Sequence, residues 1–318
     1  MAASLPPRLA TPYLVDGRVA FKVMQDLTVY LGSPSEADLD ALCNLYESFC
    51  PKERLVAYRT DELVTWSNLS SPELTLSGRR AASAGIPRPY LEPSRERIRQ
   101  GRAFSVWFWD RKTLSDPDGS WSFRCTTLKQ RPDTFHGFAR FLMPLTTDDT
   151  LLWDMARSVA NTVPFRSGHG GLVFEHDPWL KPLAFDKIYA RARRFWAVDI
   201  DGMEATLPVT RNHIKGVNWL TLVGMPLAEE AAEGLARLST APRIRLLRQT
   251  HGFVIAAGPS PIPGDHHQRD AGLEPYFRIG SALTPLFPTE HPDFSGLRFK
   301  APGATLGWVR RFVEPSGW

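Results

Sequence analysis

The sequence predicts an α+β fold in which antiparallel and mixed sheets pack against helices. Three observations lead there. Runs that alternate apolar and polar residues lie beside stretches whose apolar residues recur at helical spacing. The two kinds do not follow each other in the steady strand–helix rhythm of a doubly wound parallel sheet. Finally, "AFSVWFWDRK", "WSFRCTTLKQ" and "TFHGFARFLMPL" come in succession and read as an antiparallel meander. The first two of these are separated by "TLSDPDGS", whose Asp-Pro-Asp-Gly has strong turn chemistry.

In chain order, "VAFKVMQDLTVYLG" alternates and ends at Gly32, as a strand does. Ser35 then caps a helix carrying Leu39, Leu42, Leu45, Tyr46 and Phe49 on one side, stopped by Pro51. "RLVAYRT" is the next strand. "GRRAASAGIPRPYLEPSRERIRQGR" follows, arginine-rich but too broken by proline and glycine for one continuous helix, so it reads as a solvated surface segment around a short helix. After the meander, "TDDTLLWDMARSVANTVPF" opens with aspartates that suit a helix amino terminus. It runs into "SGHGGLVFEHDP", read as a glycine-rich turn and a short strand.

A second, similar order of elements then begins. "WLKPLAFDKIYARARRFWAV" is helical after Pro182, and "HIKGVNWLTLVG" is a strand. "PLAEEAAEGLARLST" is a helix, "RIRLLRQTHGFVIAAGPSP" one or two strands, and "LEPYFRIGSALTPL" a final helix. The chain is therefore expected to be a single domain over residues 1–318, with related halves at 1–165 and 166–318.

Composition narrows the class. At 318 residues the chain is long enough to bury a large core without metal or disulfide staples. An apolar share of 43% and a charged share of 23% are those of a soluble globule. No apolar run approaches the ~20 residues of a bilayer span, and "MAASLPPRLATPYL" lacks the apolar core of a signal peptide. A cytoplasmic location follows as an expectation. Cys43 and Cys50, seven apart on a helix, are too far apart to bond; with Cys125 they are expected as reduced thiols. The net charge of +4 is spread along the chain; its densest cluster, Gly78 to Arg102, reads as solvated surface in preference to a nucleic-acid patch, and a nucleic-acid-binding module stands as a third possibility.

Most reaction chemistries fail on spacing. "RSGHGGLVF" lacks the order of a nucleophile elbow, and no phosphate-binding loop signature occurs. Asp199 and Asp201 in "VDIDGMEA" have their glycine too early for a calcium loop. "GDHHQRD" is the most tempting stretch. Asp265, His266, His267 and Asp270 offer ligand types for a divalent ion. The Asp-His-His triplet is similar to that of the DHH phosphoesterases, which also use an upstream Asp-x-Asp. In that family the triplet ends an apolar strand, whereas here it follows "GPSPIPG", so exposed loop histidines without metal are the better account. No cofactor is expected. A metal-dependent phosphoesterase using the Asp199/Asp201 and Asp265–His267 loops stands as the alternative function.

In "RNHIKGVNWLTLVG", Gly216 permits a bulge or close backbone approach and Asn218, if buried, must bond to backbone. The stretch opens a longer pattern. "HIKGVNWLT", then "THGFVIAAGPSPIPGD", then "LEPYFRIGSALTPL" come in order between Arg211 and Leu286. Together they resemble the type VI secretion immunity proteins of the TsiV family. The matching positions are Lys215, Gly216, Asn218, Trp219, Gly258, Gly264, Asp265 and Tyr276, a scaffold set. One departure is His266 and His267, where the family often carries an asparagine nearby.

The resemblance implies a cytoplasmic, non-enzymatic protein that neutralises a toxin of VRR-Nuc type by occluding its active site or DNA-binding face. It implies one protein partner, no membrane and no direct contact with nucleic acid. Such an inhibitor should present acidic groups. Asp199, Asp201 and Glu204 in one loop, and Asp265, His266, His267 and Asp270 in another, are the expected contact residues.

Overall fold

A computed structural model of the chain describes residues 5–60, 67–68, 89–110, 121–131, 134–268, 271–294, 299 and 302–318. The short helix α1 (Pro7–Ala10) leads to strand β1 (Tyr13–Val15) and, through Asp16 and Gly17, to β2 (Arg18–Leu31). Asp16 and Gly17 both have positive φ, 50° and 77°, the pairing that a two-residue hairpin turn requires. Helix α2 (Glu36–Phe49) starts with a capping box: Asp38 N donates to Ser35 Oγ, and Ser35 N donates back to Asp38 Oδ2 at 2.8 Å. Then come β3 (Ala57–Thr60), β4 (Ser67–Asn68), α3 (Glu92–Arg99), β5 (Ser105–Trp109), β6 (Ser122–Arg131) and β7 (Thr134–Met143).

Asp148 caps α4 (Asp149–Thr162) by accepting from Thr150 N at 2.9 Å. The second part of the chain adds β8 (Ser167–His176), α5 (Lys181–Ala192), β9 (Asp199–Ile200), α6 (Met203–Thr206) and β10 (Leu220–Gly224). It continues with α7 (Met225–Glu230), α8 (Ala232–Leu238), the hairpin β11 (Ile244–Gln249) and β12 (Gly252–Ala257), α9 (Glu274–Ala282) and α10 (Ala304–Arg310).

Ten strands line up in one sheet, in the order β11-β12-β10-β8-β2-β7-β6-β5-β3-β4, with β1 beside β2 and β9 beside β8. Neighbours are antiparallel except β8 and β9, which are parallel. Strands before residue 165 fill one side of the β2–β8 seam, and strands after it fill the other. The expected α+β class holds, and so does the meander β5-β6-β7. Its turn "TLSDPDGS" lies outside the described residues, as do residues 78–88 of the arginine-rich segment.

One face of the sheet is covered by α2 and by α4, which crosses β2, β8 and β10 to β12. Its core is aromatic. The Tyr46 ring of α2 lies 5.7 Å from Phe108 and 5.5 Å from Phe123, and Phe123 is 4.9 Å from Phe141. The three cysteines are free and buried, and burial pushes the Cys50 thiol up to about 12.

Several expectations need correction. "SGHGG" is no turn: it is the first half of the buried strand β8. Its glycines answer to crowding. A Cβ on Gly168 would come 2.7 Å from the Thr28 carbonyl oxygen, and one on Gly171 (φ 144°) 3.2 Å from Trp219 Cβ. The strand in "HIKGVNWLTLVG" is confined to Leu220–Gly224; residues 213–219 precede it outside any strand, though Ala257 N still donates to the Trp219 carbonyl at 2.8 Å. "PLAEEAAEGLARLST" breaks into α7 and α8 at Ala231, and α9 is followed by a further helix, α10.

Candidate functional site

The sheet's other face carries charge where β7, β2 and β8 lie side by side. Thr28 of β2 faces Arg140 of β7 on one side and His169 of β8 on the other. Asp26 stands one step along the same face of β2, since side chains two apart share a face. The short parallel strand β9 sets Asp199 against this row, and Asp201 follows it. Residues 213–219 bring in Lys215.

These groups bond to one another. Lys215 Nζ donates to Asp199 Oδ2 at 2.6 Å and to the Ile200 carbonyl at 2.7 Å. His169 Nε2 is 3.0 Å from the same Asp199 oxygen and 3.8 Å from Asp26 Oδ2. Arg140 reaches Glu175 at 2.7 Å, Asp201 at 3.0 Å and Asp26 at 3.5 Å. Thr28 Oγ1 donates to Asp26 at 3.1 Å.

The electrostatics follow from burial set against pairing. Burial raises Asp199, but Lys215 and His169 outweigh it and hold its carboxyl well below the usual range. Asp201 is likewise raised by burial and drawn down to about 2, first by Arg140 and then by His176 and Lys215. For Asp26 and Glu175 burial wins, and both are pushed up. Burial opposes the charge of Arg140 too, yet Asp201, Glu175 and Asp26 keep its pKa raised. Four carboxylates (Asp26, Glu175, Asp199, Asp201) face two fixed cations (Arg140, Lys215). Burial raises Asp26 and Glu175 toward their protonated forms, which offsets part of that excess.

Asp26, His169 and Asp199 have donor atoms within 4.8 Å of one another, the spacing of a metal ligand set. The position is already served. Lys215 places an ammonium on Asp199 at hydrogen-bond distance, so an ion would have to displace a cation that satisfies the same oxygen. The pairing is incomplete, because Asp26 Oδ1, Asp199 Oδ1 and His169 Nδ1 are buried without a hydrogen-bond partner.

The residues expected from sequence separate into inward and outward groups. Asp199 is 1% exposed. Asp265 is also buried, in a bidentate pair with Arg194 (2.9 and 2.7 Å). Its Oδ1 also accepts from His267 N at 3.2 Å. Asp201 belongs to Arg140. Glu204, on α6, is exposed and meets Lys181 at 2.8 Å. His266 and His267 are exposed, and the His266 ring lies flat on Trp196, 4.1 Å between centres and 7° between planes. Asp270 lies outside the described residues. Among the described residues the two loops form no shared ligand set, and the phosphoesterase alternative finds no support there.

The scaffold positions are explained more fully. Trp219 Nε1 donates to the Gly258 carbonyl at 3.2 Å. Gly264 has φ 63°, and its carbonyl accepts from Trp196 N at 3.0 Å. At Gly216 (φ 145°) a Cβ would lie 3.2 Å from the Val309 carbonyl. Asn218 is buried, but its side-chain Oδ1 has no hydrogen-bond partner, against the expectation that it bonds to backbone; its backbone N donates to Thr221 Oγ1 at 3.3 Å. Tyr276 packs its buried ring against Phe312 at 5.3 Å. Sequence reasoning passed over Asp26, Arg140 and His169. A buried arginine or aspartate inside an alternating strand was the signal that could have found them.

Fold and interior together define a class: an α+β protein whose inward-facing ionisable groups are tied to one another. Its particular place is then given by comparison. The chain belongs to the TsiV family, described as type VI immunity for VRR-NUC, which matches residues 89–312. The resemblance carried by the three blocks between Arg211 and Leu286 is borne out, and the match extends well upstream of them. Among solved structures the chain is similar to the Pseudomonas aeruginosa T6SS protein PA0821, at 16% identity and a TM-score of 0.70. That likeness covers 93% of this chain and 83% of the other, and it is a likeness of fold. No match is found among curated proteins. No described helix is long and apolar enough to cross a membrane.

Proposed function

We propose that this immunity protein acts by binding a type VI effector that carries a VRR-NUC nuclease and covering the surface that holds or cuts DNA. It performs no reaction of its own, makes no direct contact with nucleic acid and works in the cytoplasm, where such an effector meets the chromosome. The family match over residues 89–312 carries this reading. The interior ion pairs are compatible with it: Lys215 and His169 both meet Asp199, and Arg140 meets Glu175 and Asp201.

Within this reading the two loops divide their labour. Asp199 and Asp265 hold the loops in place from inside, while Glu204, His266 and His267 stand outside where a partner can meet them. Asp201 and Asp270 belong to the same two loops. The test is direct. The purified protein should form a complex with the inactivated effector and, at equimolar ratio, stop the active effector from degrading plasmid DNA. Undiminished cleavage at excess protein, or turnover of DNA by the protein alone, defeats the proposal.

A further inference from the structure

Beyond the covered seam, the same sheet face continues over β6 and β5. There Arg124 of β6 lies directly across from Trp107 of β5 on one side and Arg140 of β7 on the other. Its guanidinium carbon is 4.1 Å from the centre of the Trp107 ring and 5.2 Å from that of Phe138. Arg124 Nε donates to Thr126 Oγ1 at 3.1 Å. Thr126 Oγ1 is 2.8 Å from Ser105 Oγ, which accepts from Trp107 Nε1 at 2.7 Å. One hydrogen-bonded chain thus fixes both the indole and the guanidinium that stacks on it.

This cation differs from its neighbour. Arg140 is neutralised by three carboxylates. Among the described residues no carboxylate is paired with Arg124, and its one hydrogen bond uses Nε. Burial draws its pKa down to about 10, against the weaker pull of Asp201. The positive charge has been partly taken from water with carboxylates nearby but none in hydrogen-bonding contact, which leaves the two ends of its fork open to an anion. The planar fork on an aromatic platform is also the geometry in which arginine grips a carboxylate through two parallel bonds.

We propose that Arg124, held between Trp107 and Phe138, is a docking anchor that receives a carboxylate side chain of the effector. The inference rests on the reading of this protein as an effector-binding protein and names where and how the partner is gripped. A single carboxylate fits better than a nucleic-acid strand. Asp201, Glu204 and Glu175 lie close enough to act on Arg124 electrostatically. They repel any anion, but a chain with a charge on every phosphate more than a single carboxylate. Glu204 also stands on α6, beside the loop proposed above as a contact.

The experiment measures binding of the inactivated effector, by titration calorimetry, to the wild type, Arg124→Gln and Arg124→Lys. Circular dichroism confirms that each variant is folded. Arg124→Gln should weaken binding by about 30-fold or more, the loss typical of a central anchor. Arg124→Lys should restore only part of it, because an ammonium lacks the fork. If both variants bind within threefold of the wild type, the anchor is refuted and the immunity reading stands. If Arg124→Gln binds the effector normally but loses retention of a DNA duplex shown by the wild type, the site is a phosphate site and the proposal falls. If the wild type itself does not bind the effector, the reading beneath the proposal fails, at the wild type and not at the variant.

Discussion

Lys215 donates to Asp199 at 2.6 Å in a place where neither side chain is more than 3% exposed. A hydrogen-bonded ion pair at that depth is costly to form and more costly to break. Removing Lys215 leaves Asp199 buried with only His169, at 3.0 Å, beside it. Lys215→Met should therefore destabilise the protein by about 3–5 kcal/mol in chemical denaturation. Lys215→Met with Asp199→Asn should recover part of that loss, since the second change removes the stranded charge. Additive losses in the double variant would show that the two residues do not depend on each other.

A second prediction concerns acid. His136 is buried and 3.2 Å from Thr210 Oγ1, and burial pushes its pKa down from 6.5 to about 4. The unfolded chain takes up this proton near pH 6.5, while the folded protein refuses it until about pH 4. Each step down through that window favours unfolding, by a total on the order of 3 kcal/mol from this residue. Asp201 acts lower. Its contribution is intact above 3.8 and is lost as pH falls from there towards about 2. Asp26 and Glu175, pushed up by burial, work in the opposite sense, because the folded state protonates them first. Denaturation midpoints between pH 7.5 and 4.5 should fall, and should fall less in His136→Gln. An identical slope in that variant would exclude His136 as the cause.

How far the sequence foretells this molecule depends on the scale of the interaction. The Ser35 cap, the alternation in β2 and the meander were legible because each is decided by residues that are neighbours along the chain. The "SGHGG" segment was misread for a physical reason. Glycine usually marks a turn, but here it marks a strand pressed between two others, and the crowding comes from Thr28, over a hundred residues away. The charge network was invisible for the same reason. Asp26, Arg140, His169, Asp199 and Lys215 come from five separate segments, and only the sheet order brings them together. Asp199 and Asp265 were visible as acidic loop residues, but their inward direction was set by Lys215 and Arg194, which no local pattern pairs with them.

That misreading supplies a third prediction. A Cβ at position 168 would sit 2.7 Å from the Thr28 carbonyl and 3.0 Å from Val29 Cγ1. The first contact is backbone, so the β2–β8 seam must open to relieve it. Gly168→Ala should lower stability by about 2–3 kcal/mol, the range for overpacking a tight interior, read as a drop in denaturation midpoint at unchanged m-value. Gly258→Ala is the contrast. Its Cβ meets nothing within 4 Å, so any cost there comes from its φ of 99° alone. Equal losses at the two sites would remove crowding as the explanation for the glycines of β8.

The carboxy-terminal segment is held by a residue that the sequence gives no reason to single out. Arg311 is fully buried, stacks on Trp308 at 4.0 Å and donates to the carbonyls of Trp196 and Trp308, each at 2.7 Å. Its nearest partners are neutral, and burial draws its pKa down to about 9. The guanidinium therefore serves as a many-pronged donor that ties the end of α10 to the segment before β9. Arg311→Met keeps most of the apolar stem but strands the Trp196 carbonyl, and should cost about 2–4 kcal/mol. Arg311→Lys should fail nearly as badly, because one ammonium cannot span carbonyls that the planar fork reaches from different sides. Hydrogen exchange gives the sharper readout. Loss of protection in Arg311→Met should appear first at the amides of Trp196 and Ala197 and in α10, before β2 and β8 open. Uniform loss across the sheet would mean that Arg311 supports the whole core and not this one junction.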